Sequence, residues 1–382
     1  MFAGVALIAT CYGFARFAYG LFAPRLSQEF ALSAGLSGLI GGGGYVGYCL
    51  AIGVSTVLTA RWGPRRVAVL AGAIATVGIT VVAMAPSAPV LAAGVLVAGS
   101  STGVASPPLA AAVARWVEAG VRDTAQTVVN AGTGIGVLVS GPVALVLLDQ
   151  WRLAWGLFAV VTAAVTVWVA VMVPAGGRAV ATDRRGRRRD RTQGAVPLVL
   201  ASFALGLASI AVWTFGQEVV GTGSGSGWLA PVVWTVIGAA GIAGAFSGPL
   251  VTRLGVRRSW SVLMVMLAAG VAGLAAGAAV PLVAIAAGAV FGAAYIALSG
   301  VVLIWATKTY RTRPASGVGL AFFMIAAGQA VGAPLVGLGS DAWTLPAVFY
   351  ACALVALAGA CITVLKSADV DGFPTAKPPT RA

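Results

Sequence analysis

Long apolar runs alternate with short polar gaps along the whole chain. Most runs reach about 20 residues, the length that crosses a bilayer as a helix. They predict helices near 2–23, 36–60, 67–85, 90–114, 124–148 and 152–173. A second set follows near 196–219, 228–251, 259–279, 282–306, 315–338 and 343–365. The polar stretch 174–195 separates the two sets of six. The pattern predicts an all-α integral membrane protein of 12 transmembrane helices in two six-helix bundles, 1–173 and 196–366, joined by an arginine-rich linker at 174–195 and followed by a disordered tail at 367–382.

The two sets repeat each other at an offset of 192 residues. Arg61-Trp62-Gly63-Pro64-Arg65-Arg66 falls on Arg253-Leu254-Gly255-Val256-Arg257-Arg258. Gly136 and Pro142 fall on Gly328 and Pro334, and Asp149, Trp151 and Leu153 fall on Asp341, Trp343 and Leu345. Three matches at one offset imply duplication and fusion. Duplicated apolar halves are a common way to build a transporter, because two similar bundles can rock about a site between them.

Composition excludes a water-soluble fold. The chain is 59% hydrophobic and 9% charged, with a mean hydropathy of +0.97, against about 25% charged residues in a soluble domain. The net charge of +14 does not point to nucleic acid, because the arginines sit in gaps between apolar runs. With both termini placed in the cytoplasm, all but three of the 24 basic residues fall on the inner side; the exceptions are Arg25 and Arg152 outside and Arg16 in the membrane. This bias follows the positive-inside rule and predicts a multi-pass membrane protein with both termini in the cytoplasm. No cleavable leader is evident, since the first apolar run reaches Pro24 without a small-residue cleavage site. The linker is expected to be solvated or to touch anionic headgroups. Residues 221–227, GTGSGSG, lack the lysine of a phosphate-binding loop and read as a flexible connection.

Chemistry is sparse. There is no histidine, and Cys11, Cys49, Cys352 and Cys361 lie in apolar runs without metal-ligand spacing. No nucleophile, base or metal set is evident, so neither an enzyme nor a cofactor or metal is expected. Neither half shows a ring of charge or filter-like loop, which disfavours a channel.

Arg16 is the one formal charge well inside a predicted span. It lies about 4–5 Å from the bilayer centre by helical rise. An arginine there should face a cavity or a partner, so it is a candidate for substrate binding or gating, with a structural role as the other reading. Tyr12 and Tyr19 share its helix face. Glu218 sits about 10 Å shallower by rise and is a poor direct partner, though it remains a candidate for coupling or gating. Gln126, Asn130, Thr133 and Ser140 form a polar side of helix 5. Tyr45 and Tyr48, Trp213 and Gln217, Tyr295 and Gln329 are further substrate-binding candidates, each also readable as packing.

The segment Thr56–Arg66 and its repeat Gly248–Arg258 resemble the G-x-x-x-D-R-x-G-R-K signature of the major facilitator superfamily. Ala60 and Thr252 stand where the family has its aspartate. That carboxylate belongs to the cluster that latches the inward gate, so the resemblance implies the fold more firmly than the latch. Arg61, Gly63, Arg65, Arg253, Gly255 and Arg257 are the gating candidates it supplies. Gly136–Pro142 in helix 5 resembles the glycine–proline motif of antiporter branches, without its later glycine pair, and Gly328–Pro334 is the cognate in helix 11. Pro142 and Pro334 are expected to bend their helices beside the transport path. The first helix, Tyr12–Gly20 followed by Pro24, resembles the YbfB/YjiJ-like branch.

The resemblance implies a secondary transporter for a small organic solute, working by alternating access as a functional monomer. Proton coupling and facilitated diffusion both stay open, because no carboxylate lies deep in a span: Glu218, Asp149 and Asp341 are near outer helix ends. Arg16 favours an anion or zwitterion, the aromatics an amphipathic compound. Export is suggested only by the helix 5 motif. A sensor or scaffold keeping the transporter fold is the alternative.

Overall fold

The computed structural model describes residues 1–174, 195–310 and 314–362. The tail at 367–382, and the linker apart from its two end residues, lie outside the described residues.

The described chain is helical throughout. The first half comprises α1 (Phe2–Glu29), α2 (Ala34–Trp62), α3 (Pro64–Ala83), α4 (Ala88–Trp116), α5 (Arg122–Leu147) and α6 (Trp151–Met172). The second comprises α7 (Ala195–Ser224), α8 (229–254), α9 (256–276), α10 (Pro281–Thr309), α11 (Pro314–Ala342) and α12 (Leu345–Ala360). Prolines in the first turns of α3, α4, α10 and α12 suit positions whose N–H has no helical partner. The Ser33 and Thr344 hydroxyls accept from Leu36 N and Ala347 N to cap α2 and α12.

The repeat is visible in the backbone. Gly63 has φ 81 and ψ 163, and Gly255 has φ 76 and ψ 163. Both lie at positive φ, which a glycine adopts without the Cβ clash other residues meet. Each is the sole hinge between two antiparallel spans. Arg65 and Arg66 therefore sit in the first turn of α3 instead of in a loop.

Several boundaries differ from the apolar pattern. Helix α1 runs through Pro24 to Glu29, beyond the expected end at 23. Helix α8 is broken by a 3-10 turn, Ile242–Phe246, that the uninterrupted hydropathy of 228–251 gave no reason to expect. Helix α12 ends at Ala360. The largest departure is inside α1, where Ala9–Phe17 forms a π-helix. Its i→i+5 bonds widen the turn, a rare geometry often found at functional sites. Arg16 occupies its last turn.

Burial sorts the helices by role. The most apolar stretch of α1 is 89% buried and that of α10 is 83% buried, whereas that of α6 is 28% buried. Helices α1 and α10 are central, and α6 faces out. Trp151, Trp155, Phe22 and Phe158 fill the first half, and Trp234, Trp260 and Phe291 the second.

The halves press together toward the end opposite the two glycine hinges. A Cβ on Gly38 of α2 would come 2.4 Å from the carbonyl oxygen of Ala333 in α11, and one on Gly337 would come 2.3 Å from Ala34 O. The Gly35 N–H donates to the Asp341 carboxylate at 2.8 Å. Helix α5 meets α8 across the same seam, where Trp234 Nε1 donates to Ser140 Oγ at 3.0 Å. Within the first half, Glu29 closes this end: it accepts from Trp151 Nε1 at 2.6 Å and from Arg152, whose other nitrogen reaches Ala85 O at 2.9 Å.

Candidate functional site

A small cavity lies where α1, α2 and α5 face α10 and α11. Tyr12, Arg16, Phe17, Tyr48, Asn130 and Thr133 line it from the first half. Tyr295, Ile296, Ser299, Phe322 and Ile325 line it from the second. Its volume is about 20 Å³, room for about one water and for no organic solute. The halves therefore approach each other closely at the site.

Arg16 dominates the electrostatics. It is 8% exposed, and it is the one charged side chain among the buried described residues. The π-turn delivers it among four rings. Its guanidinium carbon lies 4.6 Å from the Tyr45 ring centre, 4.9 Å from Tyr48, 5.2 Å from Phe17 and 5.4 Å from Tyr12. Such contacts stabilise a cation by about 0.5–2 kcal/mol each, increasing with desolvation. Arg16 Nη2 donates to Gln329 Oε1 across the seam, and Gln329 Nε2 donates to the Tyr295 hydroxyl at 3.2 Å. Arg16 Nε is buried without a hydrogen-bond partner, as is the Tyr48 hydroxyl. Buried donors without a partner are costly, so both are poised for an acceptor.

Other polar groups bridge the seam nearby. Asn130 Nδ2 donates to Ser299 Oγ at 2.8 Å, and Ser299 Oγ donates onward to Ile296 O at 2.7 Å. The Tyr12 hydroxyl shares a 2.8 Å hydrogen bond with Ser106 of α4. An aromatic wall backs the cavity: Phe17 stacks on Trp213 with centroids 4.0 Å apart, and Trp213 meets Tyr295 edge-on at 5.0 Å.

The structure thus gathers Arg16, Tyr12, Tyr45, Tyr48, Asn130, Tyr295 and Gln329 around one point. Other sequence candidates stand apart. Tyr19 turns away from Arg16, its hydroxyl bonded to Ser37 O at 2.9 Å and Ser37 Oγ at 3.0 Å; the widened π-turn breaks the simple helical register that aligned the two. Gln217 donates to Ala230 O at 2.9 Å and ties α7 to α8. Trp213 lies behind Phe17, and Gln126 is half-buried outside the cavity lining. Of the polar side of α5, Ser140 is committed to Trp234.

The gating candidates are scattered. Arg61, Arg253 and Arg257 are exposed and Arg65 is half-buried at the hinge end, while Glu218 is half-buried at the opposite end. Pro334 packs toward Gly42 of α2. Pro142 is exposed, but its neighbour Gly141 sits against Thr235 of α8, so α5 itself lines the seam.

Sequence reasoning did not single out Phe17, Ile296, Ser299, Phe322 or Ile325. A signal for two of them was available: Phe322 and Ile325 stand 192 residues after Asn130 and Thr133. Ser299 stands one helical turn after Tyr295.

The family model described as Major Facilitator Superfamily matches residues 5–316. No curated protein matches the chain. Among solved structures, a mutant form of the nucleoside transporter NupG superposes with a TM-score of 0.73, covering 95% of this chain and 98% of that one, at 12% identity. At that identity the likeness carries the fold alone.

Proposed function

The chain belongs to the major facilitator superfamily, and from that premise we propose that it carries a small organic solute by alternating access, with the Arg16 cavity as its binding site. It is a multi-pass membrane protein and a secondary transporter, not an enzyme. The observation that carries the reading is a buried arginine held at the seam between the halves, with unmet donors and no carboxylate beside it. A solute there would bridge the halves and change their relative stability. A ligand shifts such an equilibrium only through differential affinity for the two states.

The nucleoside named for the structural neighbour is not transferred to this chain. Facilitated diffusion is the reading we favour over proton coupling, because Glu218, Asp149 and Asp341 all lie away from the cavity. The arginine bias supports both termini in the cytoplasm.

The test uses proteoliposomes incubated with a mixed metabolite extract, with the lumen read by mass spectrometry. Wild-type vesicles should equilibrate a small set of solutes faster than empty ones, and Arg16→Gln vesicles should lose that set while the protein stays monodisperse. If monodisperse wild-type protein equilibrates nothing above the empty-vesicle rate, the transport reading fails and a sensor or scaffold takes its place.

A further inference from the structure

We infer that the solute is an organic monoanion, a single carboxylate or sulfonate on an apolar ring-bearing body, and that its acid group displaces Gln329 from Arg16. This rests on reading the Arg16 cavity as the transport site.

Charge is the first constraint. Arg16 is the one charged side chain among the buried described residues. A monoanion brings the site to neutrality, while a dianion leaves a negative charge unmatched in a dry environment. A zwitterion or amine brings a second cation to a site without an acid. Four of the nearby rings, Tyr12, Phe17, Tyr45 and Tyr48, already surround the guanidinium at 4.6–5.4 Å.

Hydrogen-bonding capacity is the second constraint. The cavity's two unmet groups, Arg16 Nε and the Tyr48 hydroxyl, can both donate. An ionised carboxylate is acceptor-only, with about four lone-pair sites. The Gln329 amide oxygen already sits on Arg16 Nη2 where an anion oxygen would fit, with its own amide nitrogen bonded to Tyr295. Gln329 thus presents a neutral acceptor to Arg16 at the position a charged one would take. A charged acceptor makes the stronger bond to a guanidinium and can engage two of its nitrogens at once, so it outcompetes the amide.

The walls set the body. Phe17, Ile296, Phe322 and Ile325 present apolar surface beside the cation, with Asn130 and Ser299 as polar marks on one side. The cavity of about 20 Å³ must widen to admit a ring, which requires the halves to part at the seam.

The experiment is thermal unfolding of the purified full-length protein with benzoate, benzamide, benzylamine, phenylalanine and phthalate at equal tens-of-millimolar concentrations. Benzoate should raise the midpoint, since a ligand that binds the native state stabilises it. Benzamide, benzylamine and phenylalanine should not, and phthalate should act more weakly. Arg16→Gln should weaken benzoate binding by about 30-fold, with Arg16→Lys between the two. Gln329→Glu places an internal carboxylate on Arg16 and should lose the benzoate response while its own midpoint holds or rises; it carries the test if the Arg16 variants fail to fold. A response to benzylamine or benzamide that depends on Arg16 would overturn the monoanion inference and leave the site reading standing. Equal benzoate responses in wild type and Arg16→Gln would overturn the site itself. A panel without any response overturns the inference, because a fragment with the right charge should occupy such a site at these concentrations.

Discussion

Closure of the seam depends on glycine where α2 crosses α11, and Gly38→Ala tests it. The added Cβ would lie 2.4 Å from Ala333 O, a backbone atom that no side-chain rotation can move aside. Carbon–oxygen contacts relax at about 3.3 Å, so α2 and α11 must part by roughly 0.9 Å. Overpacking of this kind costs about 1–3 kcal/mol. The cost falls on the closed state alone, because separating the halves removes the clash. At about 1.4 kcal/mol per tenfold, the open population should rise roughly 5- to 150-fold. The assay is electron-electron double resonance between spin labels at positions 28 and 343, both exposed near the closed end and on opposite halves. The background lacks Cys11, Cys49, Cys352 and Cys361. Gly38→Ala should add a longer distance, and Gly43→Ala, where a Cβ meets nothing within 4 Å, should not. Identical distributions for wild type and Gly38→Ala would refute the claim that this crossing sets the closed state.

Three further outcomes are expected. Gly63→Ala and Gly255→Ala should each destabilise by about 1–2 kcal/mol, because both force a Cβ into positive φ; equal unfolding midpoints in wild type and either variant would contradict the hinge. Glu29→Gln should lower stability by about 1 kcal/mol, chiefly through the weakened Trp151 bond, since the exposed Arg152 pair contributes little; a loss seen only at low salt and abolished at high salt would contradict this split. Single cysteines at 186 and 224 should label from opposite sides of the membrane in intact cells; reaction of both with an impermeant reagent would contradict the cytoplasmic placement of the linker.

The helices were legible because lipid leaves few solutions. Every backbone polar group must be satisfied within a span, so a long apolar run is almost obliged to be helical. The repeat was legible because glycine hinges survive as identities, and Gly63 and Gly255 share one backbone conformation. The site was legible in its ingredients and not in its pairings. Arg16 drew notice as a lone charge, but its bond to Gln329 spans 313 residues of chain, and no local pattern encodes such a contact. Tyr19 was placed beside Arg16 by ordinary helical spacing, which the π-turn abolishes. That turn leaves no composition signature in the sequence.

The same repeat that builds two like halves explains why only one carries the charge. Positions 192 residues apart occupy comparable places in the two bundles, and Asn130 with Phe322, and Thr133 with Ile325, line one cavity from opposite sides. One half presents amide and hydroxyl where the other presents aromatic and aliphatic surface. Arg16 corresponds to Ala208, Tyr48 to Ala240 and Gln329 to Val137. The π-segment of α1 has no counterpart in α7, which is α-helical from Ala195 to Ser224. A symmetric pair of arginines would place two like charges in one dry cavity, at several kcal/mol of repulsion even at an effective dielectric near 20. Divergence of the halves removes that repulsion. The single cation in one wall meets the Gln329 amide of the other, with Phe322 and Ile325 beside the cavity. An amphipathic monoanion, with its acid group toward α1 and its ring toward α11, fits that division.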